Sequence, residues 1–159
     1  MTARVLTAVR ARGLVATLGS AALLGGALAF QHIGGLAPCE MCIWQRWPHG
    51  IAIALGLLVI WTGWRRLALL AAVVLAVSTG LGLFHAGVEQ GWWQGPLACT
   101  SSGVDGMSTD DLMAQIMSAP MVRCDEIAWQ FLGLSMAAWN AVFSALLTLL
   151  WLWAARARA

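Results

Sequence analysis

Four apolar stretches, at 14–30, 47–61, 67–85 and 136–153, constrain this chain more than anything else in it. A helix needs about 20 mostly apolar residues to cross the hydrocarbon core of a bilayer. A chain of 159 residues with four such stretches has little left for a soluble core. Composition agrees: 60% of residues are hydrophobic, 10% are charged, and the mean hydropathy is +0.78. The longest polar stretch, 86–135, has only roughly 50 residues, too few for a core of its own. The expected fold is therefore that of an all-α integral membrane protein, a single bundle of four transmembrane helices over residues 1–159. A short amphipathic helix is expected in the long loop.

Charge placement orients the bundle, because arginine-rich flanks stay in the cytoplasm. Arg4, Arg10 and Arg12 precede the first stretch, Arg65 and Arg66 separate the second and third, and Arg156 and Arg158 follow the fourth. The acids Glu40, Glu89, Asp105, Asp110, Asp111, Asp125 and Glu126 all fall in the other two connections. Both termini are thus expected in the cytoplasm, with 31–46 and 86–135 on the opposite face. Cys39, Cys42, Cys99 and Cys124 all lie on that face, which in a bacterium is the oxidising periplasm. The expected location is the bacterial inner membrane, in multi-pass form. The net charge of +2 reflects topology, and no nucleic-acid partner is expected.

Along the chain, the first stretch has the basic start and the small-x-small site of a signal peptide, but its length favours an uncleaved span. Ala21 with Gly25 and Ala22 with Gly26 are spaced to let a neighbouring helix approach closely. His32 reads as a solvated loop residue. Trp44, Trp47, Trp92, Trp93 and Trp139 form an outer aromatic belt, and Trp61, Trp64, Trp151 and Trp153 an inner one. Pro48 cannot donate to the Trp44 carbonyl, so the second helix begins or kinks there, and the freed carbonyl would face a bound ligand. Residues 108–118 read as a short helix with Ser108 as cap and an apolar face of Leu112, Met113, Ile116 and Met117. Asn140 enters the membrane and should find a partner on another helix.

The reactive chemistry concentrates in Pro38-Cys39-Glu40-Met41-Cys42-Ile43-Trp44-Gln45-Arg46. Two thiols at this spacing can close a small disulfide, and a helix N-terminus favours the thiolate. If helix runs through Cys42, Arg46 is its i+4 neighbour and can stabilise negative charge on sulfur or on a bound oxygen. A structural disulfide beside a snorkelling arginine, or half of a zinc site, would explain the same nine residues. His85, at the outer end of the third stretch, is either an interfacial anchor or a donor or carrier of protons.

Four cysteines allow three pairings, and spacing does not choose among them. Four-thiolate zinc sites usually show two close pairs, whereas this chain has one Cys-x-x-Cys and two distant single cysteines. Two redox pairs would make a relay from an aqueous dithiol protein to a membrane-soluble acceptor. A periplasmic dithiol oxidant near about −120 mV requires an acceptor such as a quinone, since each 30 mV of mismatch is worth about 1.4 kcal/mol.

With its four spans, Pro-Cys-x-x-Cys with arginine four residues on, second cysteine pair in the outer loop, and Phe131-Leu132-Gly133-Leu134-Ser135-Met136 run, the chain resembles the DsbB family of membrane disulfide-bond formation proteins. The resemblance implies a quinone-dependent oxidoreductase that reoxidises a periplasmic DsbA-like thiol oxidase and passes electrons to the membrane pool of ubiquinone or menaquinone. It implies redox disulfides Cys39–Cys42 and Cys99–Cys124, with Cys99 exchanging with the partner and Cys124 pairing transiently with Cys39. Cys42 would be the thiolate beside the quinone, with Arg46 on the quinone oxygen, His85 nearby, and no metal. Pro48 and the segment 87–93 depart from the family's best-studied type and bear on the helix start and the choice of partner.

Two other classes compete. A vitamin K epoxide reductase-like four-helix thiol enzyme would carry its Cys-x-x-Cys after the loop cysteines, and here it comes first. A non-enzymatic membrane protein with structural disulfides would have inert cysteines. The orientation has its own test: a reporter active only in the periplasm, fused after Ala159, is expected to give no signal, and a strong signal would invert the topology.

Overall fold

A computed structural model describes residues 3–96, 108–118 and 122–157. Helices α1 (Ala3–His32), α2 (Glu40–Thr62), α3 (Arg65–Glu89) and α5 (Met136–Ala155) are each long and apolar enough to cross a membrane, and the chain is a four-helix membrane protein. The short α4 (Thr109–Ser118) forms where the capping pattern predicts it. Strands β1 (Gln130–Phe131) and β2 (Leu134–Ser135) make a small hairpin leading into α5. Its turn is Leu132-Gly133, with φ of 51° and 78°. Positive φ at both central residues is what a tight two-residue hairpin requires, and glycine takes it without strain.

Local chemistry fixes the helix ends. The Cys39 sulfur caps α2 by accepting from the Cys42 N–H at 3.3 Å, and Glu40 puts a negative charge in the first turn. Gly63, at φ 72°, closes α2 through its N–H to the Val59 carbonyl at 2.7 Å. Ser135 caps α5 by accepting from the Ala138 N–H. The helix that begins at Glu40 runs unbroken through Cys42 and Arg46, and Pro48 lies buried inside it.

Around the bundle the neighbours run α1, α2, α3, α5 and back to α1. Its interior is lined by small residues: Ala16, Ala52, Ala68, Ala71, Ala72 and Ala154 are buried, while Leu14, Leu18, Leu57, Leu70, Val73 and Leu149 point outward. Large apolar residues on the outside suit hydrocarbon as the solvent. Small ones inside let the helices approach, since burial against lipid gives little advantage.

The close approaches are not where the glycine spacing of α1 predicts them. A Cβ on Gly25 or Gly26 would meet nothing within 4 Å. On Gly82 it would meet the Ala141 nitrogen at 2.9 Å and the Ala137 oxygen at 3.0 Å, which puts α3 against α5; on Gly56 it would collide with Thr17 of α1. Trp151 is likewise no belt residue: it is wholly buried beside Gly13, and only Trp153 of that pair is exposed.

At the end of the bundle away from Cys39, arginines tie the helices together. Arg10 donates to the Trp61 carbonyl at 2.9 Å, Arg12 to that of Trp153 at 2.9 Å, and Arg65 to that of Ala155 at 2.5 Å. Each cation thus meets the last-turn carbonyls of a neighbouring helix, where the dipole is negative. The glycine contrast is testable: Gly82→Val should cost about 1–3 kcal/mol by overpacking α3 against α5, whereas Gly26→Ala should stay within about 0.5 kcal/mol of the parent. Thermal unfolding of the detergent-solubilised protein checks both, and equal effects would contradict the packing described.

Candidate functional site

Cys39 and Cys42 are free thiols with their Sγ atoms 2.9 Å apart, Cys39 donating to Cys42. Cys39 is buried and Cys42 half-buried. Hydrogen bonding to Cys42, followed by burial, pushes the Cys39 thiol well above the ordinary thiol range, so Cys39 keeps its proton. His85 Nε2 lies 3.6 Å from the Cys39 sulfur, and the donor atoms of Cys39, Cys42 and His85 all fall within 4.8 Å of one another. Two Zn–S bonds of 2.3 Å would hold their sulfurs about 3.7 Å apart. The two sulfurs here stand closer together than that, near enough to pair with each other.

Behind the thiols, polar side chains continue inward from one helix to the next. Gln45 Nε2 lies 3.3 Å from the Met41 carbonyl and 2.7 Å from His85 Nδ1. Asn140 Nδ2 donates to Gln45 Oε1 at 2.7 Å across the bundle from α5, and Asn140 Oδ1 lies 3.0 Å from His49 Nε2. Ser144 and Ser78 approach the same His49 nitrogen at 3.3 and 3.4 Å. The orientations follow from one carbonyl. Met41 can only accept, so the Gln45 NH₂ faces it; His85 Nδ1 then accepts, and His85 carries its proton on Nε2. Gln45 Oε1 must take the Asn140 NH₂, which leaves Asn140 Oδ1 to accept from His49 Nε2–H.

A cavity of about 380 Å³ opens beside this chain, walled by α1 residues Ala22, Gly26 and Phe30, and by Phe143 of α5. Cys39, Cys42, Gln45, Arg46, His49, His85, Glu89 and Asn140 also line it. Among the described residues, His49 Nδ1 and Glu89 Oε2 are buried polar atoms without a hydrogen-bond partner. Glu89 Oε1 lies 3.9 Å from His85 Nε2, and Arg46 donates to Gln31 of α1 at 2.5 Å.

The site residues expected from sequence fall into three groups. Cys39, Cys42, Arg46 and His85 meet at this one cavity. Cys124 is disulfide-bonded and wholly buried, in one cluster with Cys39, Met41 and Val88. Cys99 lies outside the described residues, as does the loop around it. His32 is exposed, as expected, but it is the last residue of α1 and not part of a loop. Trp44 and Pro48 do not line the cavity; they line a separate groove with Val74, Val77 and Leu81. Asn140 finds its partners on α2, and Gln45, His49 and Glu89 join the site without having been singled out as part of it. Their signal was present: Cys42, Gln45 and His49 follow i, i+3, i+7, a polar stripe on one face of an apolar helix.

A family model described as disulfide bond formation protein DsbB matches residues 9–154. The disulfide bond formation protein B of Pasteurella multocida is 37% identical over 139 residues, covering 82% of this chain and 78% of that protein. Those of Albidiferax ferrireducens and Aromatoleum aromaticum are 34% and 36% identical over 135 and 131 residues, covering 79% and 77% of this chain and 77% of each relative. No solved structure gives a significant match.

The inequality of the two thiols predicts an order of modification. On the reduced protein a small maleimide should label Cys42 before Cys39, by about tenfold in rate or more, because the thiolate reacts and Cys39 is both buried and protonated. Mass mapping of singly labelled protein checks this, and equal labelling would refute the asymmetry.

Proposed function

The chain belongs to the DsbB family of disulfide bond formation proteins, and from that premise we propose that it is a membrane thiol:quinone oxidoreductase. It reoxidises a periplasmic DsbA-like dithiol oxidase and passes the electrons to ubiquinone or menaquinone. The observation that carries this reading is the single cavity with thiols, a guanidinium and apolar walls. Its volume of about 380 Å³ lies in the range usual for small-molecule sites, about 300–1,000 Å³. An apolar ring with two polar oxygens suits it, because the walls offer open space at Gly26 and the Arg46 guanidinium among them can donate to an oxygen.

The relay balances. The partner's thiolate opens Cys99–Cys124, freeing Cys124, which then opens Cys39–Cys42 at Cys39 and releases Cys42 as a thiolate. Burial of Cys124 in one cluster with Cys39 supports that step. The partner's second thiol closes its own disulfide and frees Cys99, which recaptures Cys124 and leaves Cys39 and Cys42 reduced. A bound quinone supplies a sink for two electrons and two protons, and Cys39 and Cys42 return to the disulfide. Arg46 stabilises negative charge at the cavity wall, and Cys39 holds the proton that must leave the pair.

Kinetics with a soluble quinone and a reduced dithiol protein test this. Arg46→Ala should raise the quinone KM by about tenfold or more, and Arg46→Lys, which keeps charge but loses the planar fork, by less. Cys99→Ser should abolish exchange with the protein partner yet leave quinone reduction by a small dithiol. An unchanged KM in Arg46→Ala would remove Arg46 from the mechanism, and quinone reduction surviving in Cys42→Ser would remove the relay.

A further inference from the structure

We propose that His49 is the hydrogen-bond acceptor for a hydroxyl of the reduced quinone ring, and so a residue that makes the cavity prefer hydroquinone to quinone. This rests on the quinone-reducing function proposed above and adds to it a residue and a direction of preference.

The argument begins with the amide orientations. With the Met41 carbonyl fixing Gln45, and Gln45 fixing Asn140, His49 Nε2 must donate to Asn140 Oδ1 at 3.0 Å. A neutral imidazole with its proton on Nε2 presents a lone pair at Nδ1. That atom is buried and has no partner, in a side chain only 2% exposed that lines the cavity. A buried acceptor without a donor is costly, and the cost is recovered when a ligand supplies the donor. A quinone carbonyl has only lone pairs to offer and gains nothing there. A hydroquinone hydroxyl donates. The two forms differ by two electrons and two protons, both supplied overall by the Cys39–Cys42 dithiol, so His49 itself need not gain or lose a proton. It favours the product and draws electrons out of the thiol pair. Glu89, whose Oε2 is also unpartnered in the same cavity, is the competing acceptor.

The test uses the full chain in lipid nanodiscs as the Cys42→Ser variant, which blocks turnover, under anaerobic conditions. A short-chain ubiquinone and its hydroquinone are titrated separately by calorimetry. Adding His49→Leu should weaken hydroquinone binding by about tenfold while leaving quinone within about twofold. That ratio corresponds to about 30 mV in the two-electron potential of the bound couple. His49→Asn, which keeps an acceptor close to the Nδ1 position, should restore most of the preference. A second readout needs no substitution at His49: with ¹⁵N-labelled histidine, hydroquinone should shift the unprotonated Nδ1 resonance of His49 and quinone should not. Equal weakening of both forms, no weakening of either, or loss of the preference in Glu89→Gln but not in His49→Leu would each overturn the assignment. Failure of both forms to bind when His49 is intact would instead overturn the quinone reading itself, and the assignment with it.

Discussion

A polar side chain inside a bilayer has no water to bond, so its partners must come from the other helices. The upper half of this bundle is organised by that constraint, and Gln45 is where it converges. Its amide meets a backbone carbonyl of its own helix, a histidine of α3 and an asparagine of α5. The neighbours of α2 around the bundle are α1 and α3, so the bond to Asn140, like the contacts of His49 with Asn140 and Ser144, crosses the diagonal to α5. Individual bonds of this kind contribute only about 0.6 kcal/mol on average in membrane proteins. Their larger effect here is on orientation, because each amide has one end that donates and one that accepts.

The lower half is held differently. There alanine and valine fill the centre around Trp151, and the arginines on which the expected orientation rests also satisfy carbonyls at helix ends. One guanidinium thus both joins two helices and carries the charge from which the orientation was expected. Between the halves, Ser78 and Ser144 mark the transition, hydrogen-bonded to each other and lying 3.4 and 3.3 Å from His49 Nε2 above the apolar core.

Local signals in the sequence were readable because they act over one turn. The Cys39-to-Arg46 spacing, the existence of α4 and the apolar runs of the four helices all depend on near neighbours in the chain. Glycines misled for the complementary reason. Gly25 and Gly26 have the spacing of a packing motif, but which face of α1 meets α5 and which faces the cavity is set by the whole bundle. Trp151 looks like a belt residue from its place near a helix end, yet it turns inward where Gly13 leaves room. Asn140 announced that it needed a partner, and the partner lies 95 residues away, beyond any periodicity. His49 is one turn past Arg46, on the stripe that Cys42 and Gln45 begin, and it could have been found by treating every polar residue in a span as a member of a set.

The orientation of one amide also decides what His85 can do for the thiols. A histidine beside a cysteine is commonly read as the base that removes its proton, but a base needs a free lone pair. In His85 the Nδ1 lone pair is taken by Gln45 at 2.7 Å, and the other nitrogen carries hydrogen and lies 3.6 Å from the Cys39 sulfur. His85 is therefore a donor in this arrangement. It can steady negative charge on Cys39 but cannot create it. The proton on Cys39 instead points along its hydrogen bond to Cys42, so the proton and the negative charge of a singly ionised pair stay between the two sulfurs. With Nδ1 engaged, His85 has no lone pair free to take that last proton. Among the described residues lining the cavity, Glu89, with one oxygen unpartnered and the other 3.9 Å from His85 Nε2, is the acid that stands closest to that histidine.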